Sequence, residues 1–179
     1  MNTSPILPTQ TEAAFMLRSA IGQIQFARNY TVGLLDAIPR DLWFEIPDRL
    51  PTNVAWQVGH LTVSQYGLLM FRLRGREPED LELIPGRFRK AYGRESIPSA
   101  DPSKQPSADE LLERLGTVHE RSLAVLEGID PEVLLEPIEM PYAAYPIKLG
   151  GILFCPIHEG IHAGQLGVLR RAHGLAPVR

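Results

Sequence analysis

Several features that would assign a protein to a familiar class are missing from this sequence. Its one cysteine, Cys155, excludes an internal disulfide. No apolar run approaches the ~18 residues of a membrane-spanning helix, and residues 1–15 lack the charged and apolar segments of a secretory signal. There is no basic block and the net charge is -3, so we expect neither nucleic acid nor a membrane as a partner. These absences predict a cytoplasmic protein.

What remains is the composition of an ordinary globular domain. Apolar residues make up 44% and charged residues 22% of the 179 residues. A chain of this length supplies one stable hydrophobic core. We therefore predict a single domain over residues 11–177, preceded by an N-terminal extension at residues 1–10.

Apolar residues recur at three- and four-residue intervals in four segments, which is the spacing of one helix face. The first predicted helix covers residues 11–38 and is stopped by Pro39. The second follows Thr52, a suitable N-cap residue, and continues to about residue 74, where Gly75 ends it.

The third predicted helix has boundary signals at both ends, whereas the fourth has two candidate starts. The third opens with a capping box formed by Ser107 and Glu110 and is closed by Gly128. The fourth ends at residues 173–174. We expect it to begin near Gly150 and to be kinked at Pro156, with a start at Pro156 itself as the alternative.

The links between these helices predict their arrangement. The link at residues 39–51 is short enough to join antiparallel neighbours, whereas residues 75–106 form a long link with five prolines. A link of that length can return along the whole bundle, which makes helices two and three parallel. Since no segment alternates like a strand, we predict an all-α four-helix bundle with an up-down-down-up course and a long crossover between helices two and three.

Three histidines are candidate ligands for one metal ion. His158 and His162 are four residues apart, which puts their Cβ atoms about 5–6 Å apart on one helix face. His60, in the middle of the second helix, supplies a third imidazole. Three neutral imidazoles with one open position suit zinc or nickel, and manganese or iron are possible.

The neighbours of these histidines predict that all three face the bundle interior. Gln165 lies on the same helix stripe as His158 and His162, so it is expected to face the same way. The apolar residues near the three histidine faces are Trp56, Val63, Phe71, Ile161 and Leu166.

Each histidine alone is more simply interpreted as an ordinary core or surface residue, and only the set of three favours a metal site. His119 lies at the edge of its apolar stripe, where a solvated or hydrogen-bonded role is expected. His173, in a last helical turn, complements the helix dipole. Cys155 is expected to behave as a small buried hydrophobe, outside the ligand set.

The sequence HEGIH at residues 158–162 also matches the H-E-x-x-H pattern of zinc proteases. Such a protease needs a further ligand downstream, and the residues after His162 include no Glu. The metzincin extension requires glycine and histidine where this chain has Gln165 and Val168. The absence of a predicted strand to hold a peptide substrate also argues against a protease.

Two stretches together resemble the DinB-like superfamily of damage-inducible-type bacterial four-helix bundles. One is WQVGHL at residues 56–61, and the other is HEGIHAGQL at residues 158–166, followed by the arginine pair at 170–171 and Gly174. The pair at residues 42–43, Leu and Trp before Pro47, also fits the first loop of that family. The resemblance covers about residues 11–177 and is loosest in the long link and at the start of the last helix.

This resemblance implies a bundle with a metal site made by His60, His158 and His162, all of which are present. It also implies a possible homodimer and several possible chemistries: metal-dependent transfer of a low-molecular-weight thiol (bacillithiol, mycothiol or glutathione), thiol-dependent isomerisation, or metal-dependent hydrolysis. A shared fold does not decide among them.

Our leading hypothesis from the sequence is a metal-dependent thiol S-transferase acting on a small-molecule substrate. A metal-dependent hydrolase and a non-catalytic metal-binding or dimerising bundle are the alternatives. Glu159 is a candidate catalytic base, or a group that orients a ligating imidazole. The equally weighted alternative is that Glu159 is an ordinary solvated residue on the helix surface. Gln165 is a candidate site residue because it lies on the same helix face as His158 and His162. The alternative is that it only forms a hydrogen bond between helices.

Overall fold

The computed structural model describes residues 5–140 and 143–178, and every regular element in that part of the chain is helical. The α-helices are α1 (Gln10–Asp36), α2 (Val54–Tyr66), α3 (Arg72–Arg74), α4 (Asp80–Leu83), α5 (Gly86–Tyr92), α6 (Ala108–Glu127) and α7 (Lys148–Ala172). Short 3-10 helices at Arg40–Phe44, Pro102–Lys104 and Val133–Leu135 lie in the links. No β-strand occurs among the described residues, which agrees with the all-α prediction.

Helix α1 begins one residue before the predicted start because of a capping box that the sequence analysis did not use. The Thr9 hydroxyl accepts a hydrogen bond from the Glu12 amide, and the Glu12 carboxylate accepts one from the Thr9 amide. These bonds satisfy backbone donors that the first helical turn leaves free. The helix ends at Asp36, two residues before the predicted boundary, ahead of Pro39.

Helix α2 is capped by Asn53, so the assignment of Thr52 as its N-cap was wrong. The Asn53 side chain accepts from the Trp56 amide and donates to the carbonyls of Phe44 and Ser99, which fixes the start of the helix to both flanking links. Thr52 instead receives a hydrogen bond from Gln57.

Helical structure continues beyond α2 through a π-helical turn, Gly67–Phe71, into α3. It ends at Gly75, whose φ of 82° is a conformation that only glycine adopts readily. The π-turn changes which side chains face inward, and Phe71 is 46% exposed. The prediction that Phe71 faces the interior near His60 was therefore wrong.

The long crossover between α3 and α6 contains two short helices where the sequence suggested only a link. Asp80 anchors the first of them: its buried carboxylate accepts hydrogen bonds from the Arg74 guanidinium and the Tyr66 hydroxyl. Phe88 and Tyr92 are buried on α5, so this helix packs onto the body of the protein. The crossover is thus a fixed part of the fold.

The boundaries of α6 follow the sequence prediction, with the Ser107–Glu110 capping box at one end and Gly128 at the other. Helix α7 begins at Lys148 and runs through Pro156 without interruption. The alternative in which Pro156 is the first residue of the helix is therefore wrong.

Packing between the long helices brings the histidine-bearing segments together. Helix α1 packs along α7, α2 packs along α6, and α2 also contacts α7. Two groups of buried apolar side chains form the core, one near Trp43 and Leu111 and one near Ile24 and Ile152. No helix in the described ranges is long and apolar enough to cross a membrane.

Candidate metal centre

Helices α2 and α7 bring the three predicted histidines into one cluster. The ring centroids of His158 and His162 are 4.5 Å apart, and His60 lies 4.9 Å from His162 and 5.4 Å from His158. One ligating nitrogen of each residue lies within 4.8 Å of those of the other two. This is the grouping that the sequence predicted, and it is close enough for one metal ion to contact all three.

The ring of His60 is oriented by the crossover. Its Nδ1–H donates to the Tyr92 carbonyl at 2.9 Å, which leaves the lone pair on Nε2. In the structure this nitrogen accepts a hydrogen bond from the Ser64 hydroxyl at 3.2 Å. The hydrogen bond to a backbone carbonyl is the arrangement that fixes the tautomer and orientation of metal-binding histidines.

A glycine permits this contact between α5 and α2. The ring of Tyr92 lies directly over Gly59, and a Cβ atom at residue 59 would overlap it. Gly59 therefore lets α5 approach closely enough for the Tyr92 carbonyl to reach His60. This explains the glycine that precedes the histidine in WQVGHL.

The ring of His162 is oriented by Gln57, a residue to which the sequence analysis gave no role. The His162 Nδ1–H donates to the Gln57 side-chain oxygen, and the Gln57 amide donates in turn to the Thr52 hydroxyl at 2.9 Å. Gln57 is buried, three residues before His60 on the same helix. The signal available in the sequence was a polar residue, Gln57, within the apolar run that precedes His60.

Burial keeps all three imidazoles neutral at physiological pH. It lowers the pKa of His60, although the hydrogen bond to Tyr92 opposes the shift. Burial, reinforced by the neighbouring histidines, lowers the pKa of His158 to about 4 and that of His162 to about 3. Neutral imidazole is the form that ligates a metal ion.

Glu159 is buried in the protein interior and forms no hydrogen bond with the three histidines among the described residues. It is 2% exposed and forms a two-point ion pair with Arg28, at 2.6 Å to Nε and 3.1 Å to Nη2. The Arg28 guanidinium also donates to the Gln65 side chain and to the Leu115 carbonyl. Glu159 is therefore not a solvated helix residue, and its carboxylate is engaged by Arg28.

Arg28 was the missed partner in this pair. It lies on the apolar face of α1, between Ile24 and Thr31, so the signal was a single arginine within an otherwise apolar stripe. The network continues to α6, where the Gln65 amide lies 3.1 Å from His119 Nδ1. His119 thus has the hydrogen-bonded role that was expected.

The position of Gln165 on its helix stripe predicted that it faces the interior, and this prediction was wrong. It is exposed, as is Ile161, because both lie on the outer side of α7 relative to the core. Gln165 instead lines a cavity of about 380 Å³ together with Trp56 and Gln57. It stands at the rim of the cluster.

Trp56 connects the cluster to this cavity. Its ring stacks on His60 with centroids 4.7 Å apart and planes 7° apart. The indole N–H donates to the Ser96 hydroxyl at 2.8 Å, which holds the crossover over the site. Tyr92 and Ser96 could not be predicted from sequence patterns, since they come from a link whose path depends on tertiary packing.

The remaining two candidates stay outside the cluster. Cys155 is buried, and burial raises the pKa of its thiol, so it behaves as the small hydrophobe that was expected. His173 caps the C-terminus of α7, with Nδ1 3.8 Å from the Glu45 carboxylate.

The donor set of the cluster fits a divalent transition-metal ion. Three imidazole nitrogens converge, and two of the rings are held in the ligating tautomer by Tyr92 and Gln57. Within the described residues this group contains no carboxylate and no thiol. The cluster can therefore hold a metal ion, with nitrogen ligands only.

Comparison with known proteins gives the same assignment as the motifs. A search of curated proteins found no match. The family model of the DinB superfamily matches residues 23–166, which include all three histidines of the cluster. The chain therefore belongs to the DinB superfamily.

Proposed function

We propose that this protein is a metal-dependent enzyme on an up-down-down-up four-helix bundle, and that it transfers a low-molecular-weight thiol to a small electrophile. The observation that carries the proposal is the cluster of three neutral imidazoles whose ligating atoms lie within 4.8 Å of one another. Zinc or nickel is the expected ion, with manganese or iron possible, because imidazole is a ligand that suits such metals.

His60, His158 and His162 would hold the ion through one nitrogen each. When bound, a divalent cation with three neutral ligands supplies Lewis acidity and lowers the pKa of a thiol or water molecule in its open position. Gln57 and the Tyr92 carbonyl keep two of the rings in the ligating tautomer. Trp56 covers one side of His60 and limits the entry of water there.

The ion pair of Glu159 argues against a hydrolase that uses this carboxylate as its general base. A hydrolase that uses a carboxylate as general base needs that group within hydrogen-bond reach of the attacking water. Glu159 is buried in its ion pair with Arg28, so it does not serve as this base. A thiol that has lost its proton through the Lewis acid needs no such base.

Gln165 has a position that suits contact with substrate. It lines the cavity beside Trp56, so we assign it a role in binding at the rim of the site. Direct participation in proton transfer is not expected, because an amide side chain does not titrate.

Metal analysis of the purified protein is the first test. About one divalent ion per chain is expected in wild type after expression in metal-replete medium, and much less in His158→Ala. His173→Gln is the matched control, since His173 lies outside the cluster. Absence of stoichiometric metal in wild type would favour the non-catalytic alternative and overturn the enzyme proposal.

Activity then separates the two enzyme classes. Consumption of an electrophile such as monochlorobimane that requires both the metal and an added thiol would support the transferase. Metal-dependent cleavage of an ester or amide without thiol would support the hydrolase instead. The proposed homodimer is tested separately by sedimentation of the metal-loaded protein.

A further inference from the structure

A group of unpaired cations lies on the crossover beside the histidine cluster. Arg87, Arg89, Lys90 and Arg94 are exposed, and none of them forms an ion pair with any residue in the ranges 5–140 and 143–178. Glu95 is the only acidic residue between residues 86 and 95, although the whole chain has a net charge of -3. The positive charge is therefore concentrated here against the overall balance.

The segment that carries these cations is held in place relative to the histidines. The cations flank Tyr92, whose carbonyl binds His60, and Ser96, whose hydroxyl binds Trp56. Phe88 and Tyr92 are buried and anchor α5 on the body of the protein. The same segment that orients a predicted metal ligand thus presents the positive charge.

Two adjoining cavities lie beside the cations, and both are lined by Trp56, whose ring stacks on His60. The smaller, of about 380 Å³, is lined by Gln57, Gln165 and Arg94, and its volume is in the range of small-molecule sites, about 300–1,000 Å³. The larger, of about 1140 Å³, is lined by Arg87, Lys90 and Arg94 among others. Trp56, Arg94 and Ser96 line both cavities, so Arg94 stands where the basic groove meets the space beside the cluster.

We propose that this groove is an anion subsite and that the substrate, or the thiol it reacts with, carries a carboxylate or phosphate group held by Arg94 with help from Lys90 and Arg87. This inference rests on the proposed function and names the chemical class of its substrate. Guanidinium groups bind both kinds of oxyanion through two parallel hydrogen bonds. The remaining cations attract the anion from a distance and raise its rate of arrival.

A small anion fits this groove better than a nucleic-acid backbone does. The chain has a net charge of -3, whereas a domain that binds a nucleic-acid backbone usually carries a strong net positive charge. Arg94 also borders the cavity of about 380 Å³, which has an aromatic wall at Trp56. Such a cavity suits one small molecule with a charged end.

The test is calorimetric titration of the full-length, metal-loaded protein with succinate, inorganic phosphate and dimethyl succinate. We expect at least one of the two anions to bind and the uncharged ester not to bind. Exposed ion pairs are screened by salt, so raising the salt concentration from 20 to 200 mM should weaken binding several-fold. Repeating the titration after metal removal should give similar affinity, because the cations are not metal ligands.

Charge-removing variants locate the subsite. Arg94→Gln should weaken binding of the anion about fivefold, and Arg94→Gln with Lys90→Gln should weaken it further. Arg121→Gln is the matched control, since Arg121 is an exposed arginine on α6 outside both cavities. Circular dichroism checks that each variant is folded.

Four results would overturn the subsite: no binding of either anion, binding only when metal is present, equal binding by the Arg94 variants, or binding of duplex DNA but not of small anions. The proposed function fails differently. If succinate binds as expected but no thiol is transferred, the subsite stands and the transferase does not. If a thiol is transferred but neither succinate nor phosphate binds, the transferase stands and the subsite does not.

Discussion

Glu159 and Arg28 form an ion pair that is closed off from water, with Glu159 Oε1 2.6 Å from Arg28 Nε. The pair joins α7 to α1, the two helices that are farthest apart in sequence. His158 directly precedes Glu159 in the sequence. The ion pair therefore fixes the rotation of α7 about its own axis at the place where the predicted ligands His158 and His162 project. We therefore assign Glu159 a positioning role.

Removing one member of this pair should strongly destabilise the fold. Arg28→Met leaves the Glu159 carboxylate buried without a partner, and breaking a buried pair in this way costs about 3–5 kcal/mol. The double variant Arg28→Met, Glu159→Leu should recover much of that loss, because no unpaired charge remains. Urea denaturation of both variants and of wild type measures the free energy of unfolding.

The metal content of the double variant separates a positioning role from a catalytic one. If Glu159 only positions α7, the refolded double variant should still bind about one metal ion and retain part of its thiol-transfer activity. Loss of all activity with normal metal binding and normal stability would contradict this assignment, and Glu159 would then act in the chemistry.

Gln57 should control the affinity of the site for metal. Gln57→Leu removes the acceptor for the His162 Nδ1–H, and loss of such a partner lowers metal affinity by about 10–100-fold. Gln57→Glu keeps an acceptor and should retain or increase the affinity. Competition with a chromogenic chelator measures the three affinities.

Equal metal affinity in Gln57→Leu and wild type would contradict this role. Gln105→Leu serves as the control, because that side chain bonds to carbonyls of the crossover and does not contact a histidine. It tests whether the loss of a half-buried amide elsewhere on the crossover has the same effect.

Gly59 should tolerate no side chain. In Gly59→Ala the new Cβ would meet the ring of Tyr92, and inserting a methyl group into a packed contact costs about 1–3 kcal/mol. Displacement of α5 would also withdraw the Tyr92 carbonyl from His60, so metal affinity should fall with stability. Thermal denaturation and chelator competition measure the two effects.

Gly116→Ala is the matched control for this substitution. It lies within helix α6, and a Cβ atom there has open space around it. Alanine should therefore stabilise the protein by about 0.5–1 kcal/mol through its higher helix propensity. A neutral effect of Gly59→Ala together with this gain would show that Tyr92 moves freely and does not fix His60.

The sequence predicted the histidine cluster because its signals were local or had a fixed period. His158 and His162 share a face by helical spacing alone, and His60 was found through its apolar surroundings. The orienting groups were not found, since Tyr92 and Ser96 reach the site through a crossover whose path depends on packing at Gly59. The prediction that Phe71 faces inward was wrong because it assumed a constant number of residues per helical turn. The π-helical turn at Gly67–Phe71 has more residues per turn and so rotates the side chains that follow.

The acid sensitivity of the fold should depend in part on His119. The Gln65 side-chain oxygen accepts from Arg28, so its amide group donates to His119 Nδ1, which must carry a lone pair. Burial, and then the positive charge of Arg28, lower the pKa of His119 to about 4. The neutral ring is therefore favoured in the folded state.

The lowered pKa of His119 defines the pH range over which this residue affects the stability of the fold. In the unfolded chain the ring takes up its proton near pH 6.5, so between that value and about 4 the unfolded state binds more protons than the folded state. Stability should fall as the pH falls through this range. Urea denaturation of the metal-free protein at several pH values measures how the free energy of unfolding depends on pH. In His119→Gln this dependence should be shallower than in wild type by up to one proton. His158 and His162 contribute equally in both proteins, so they do not affect the comparison. An unchanged slope would mean that His119 is protonated in the folded state and that the amide of Gln65 does not face its Nδ1.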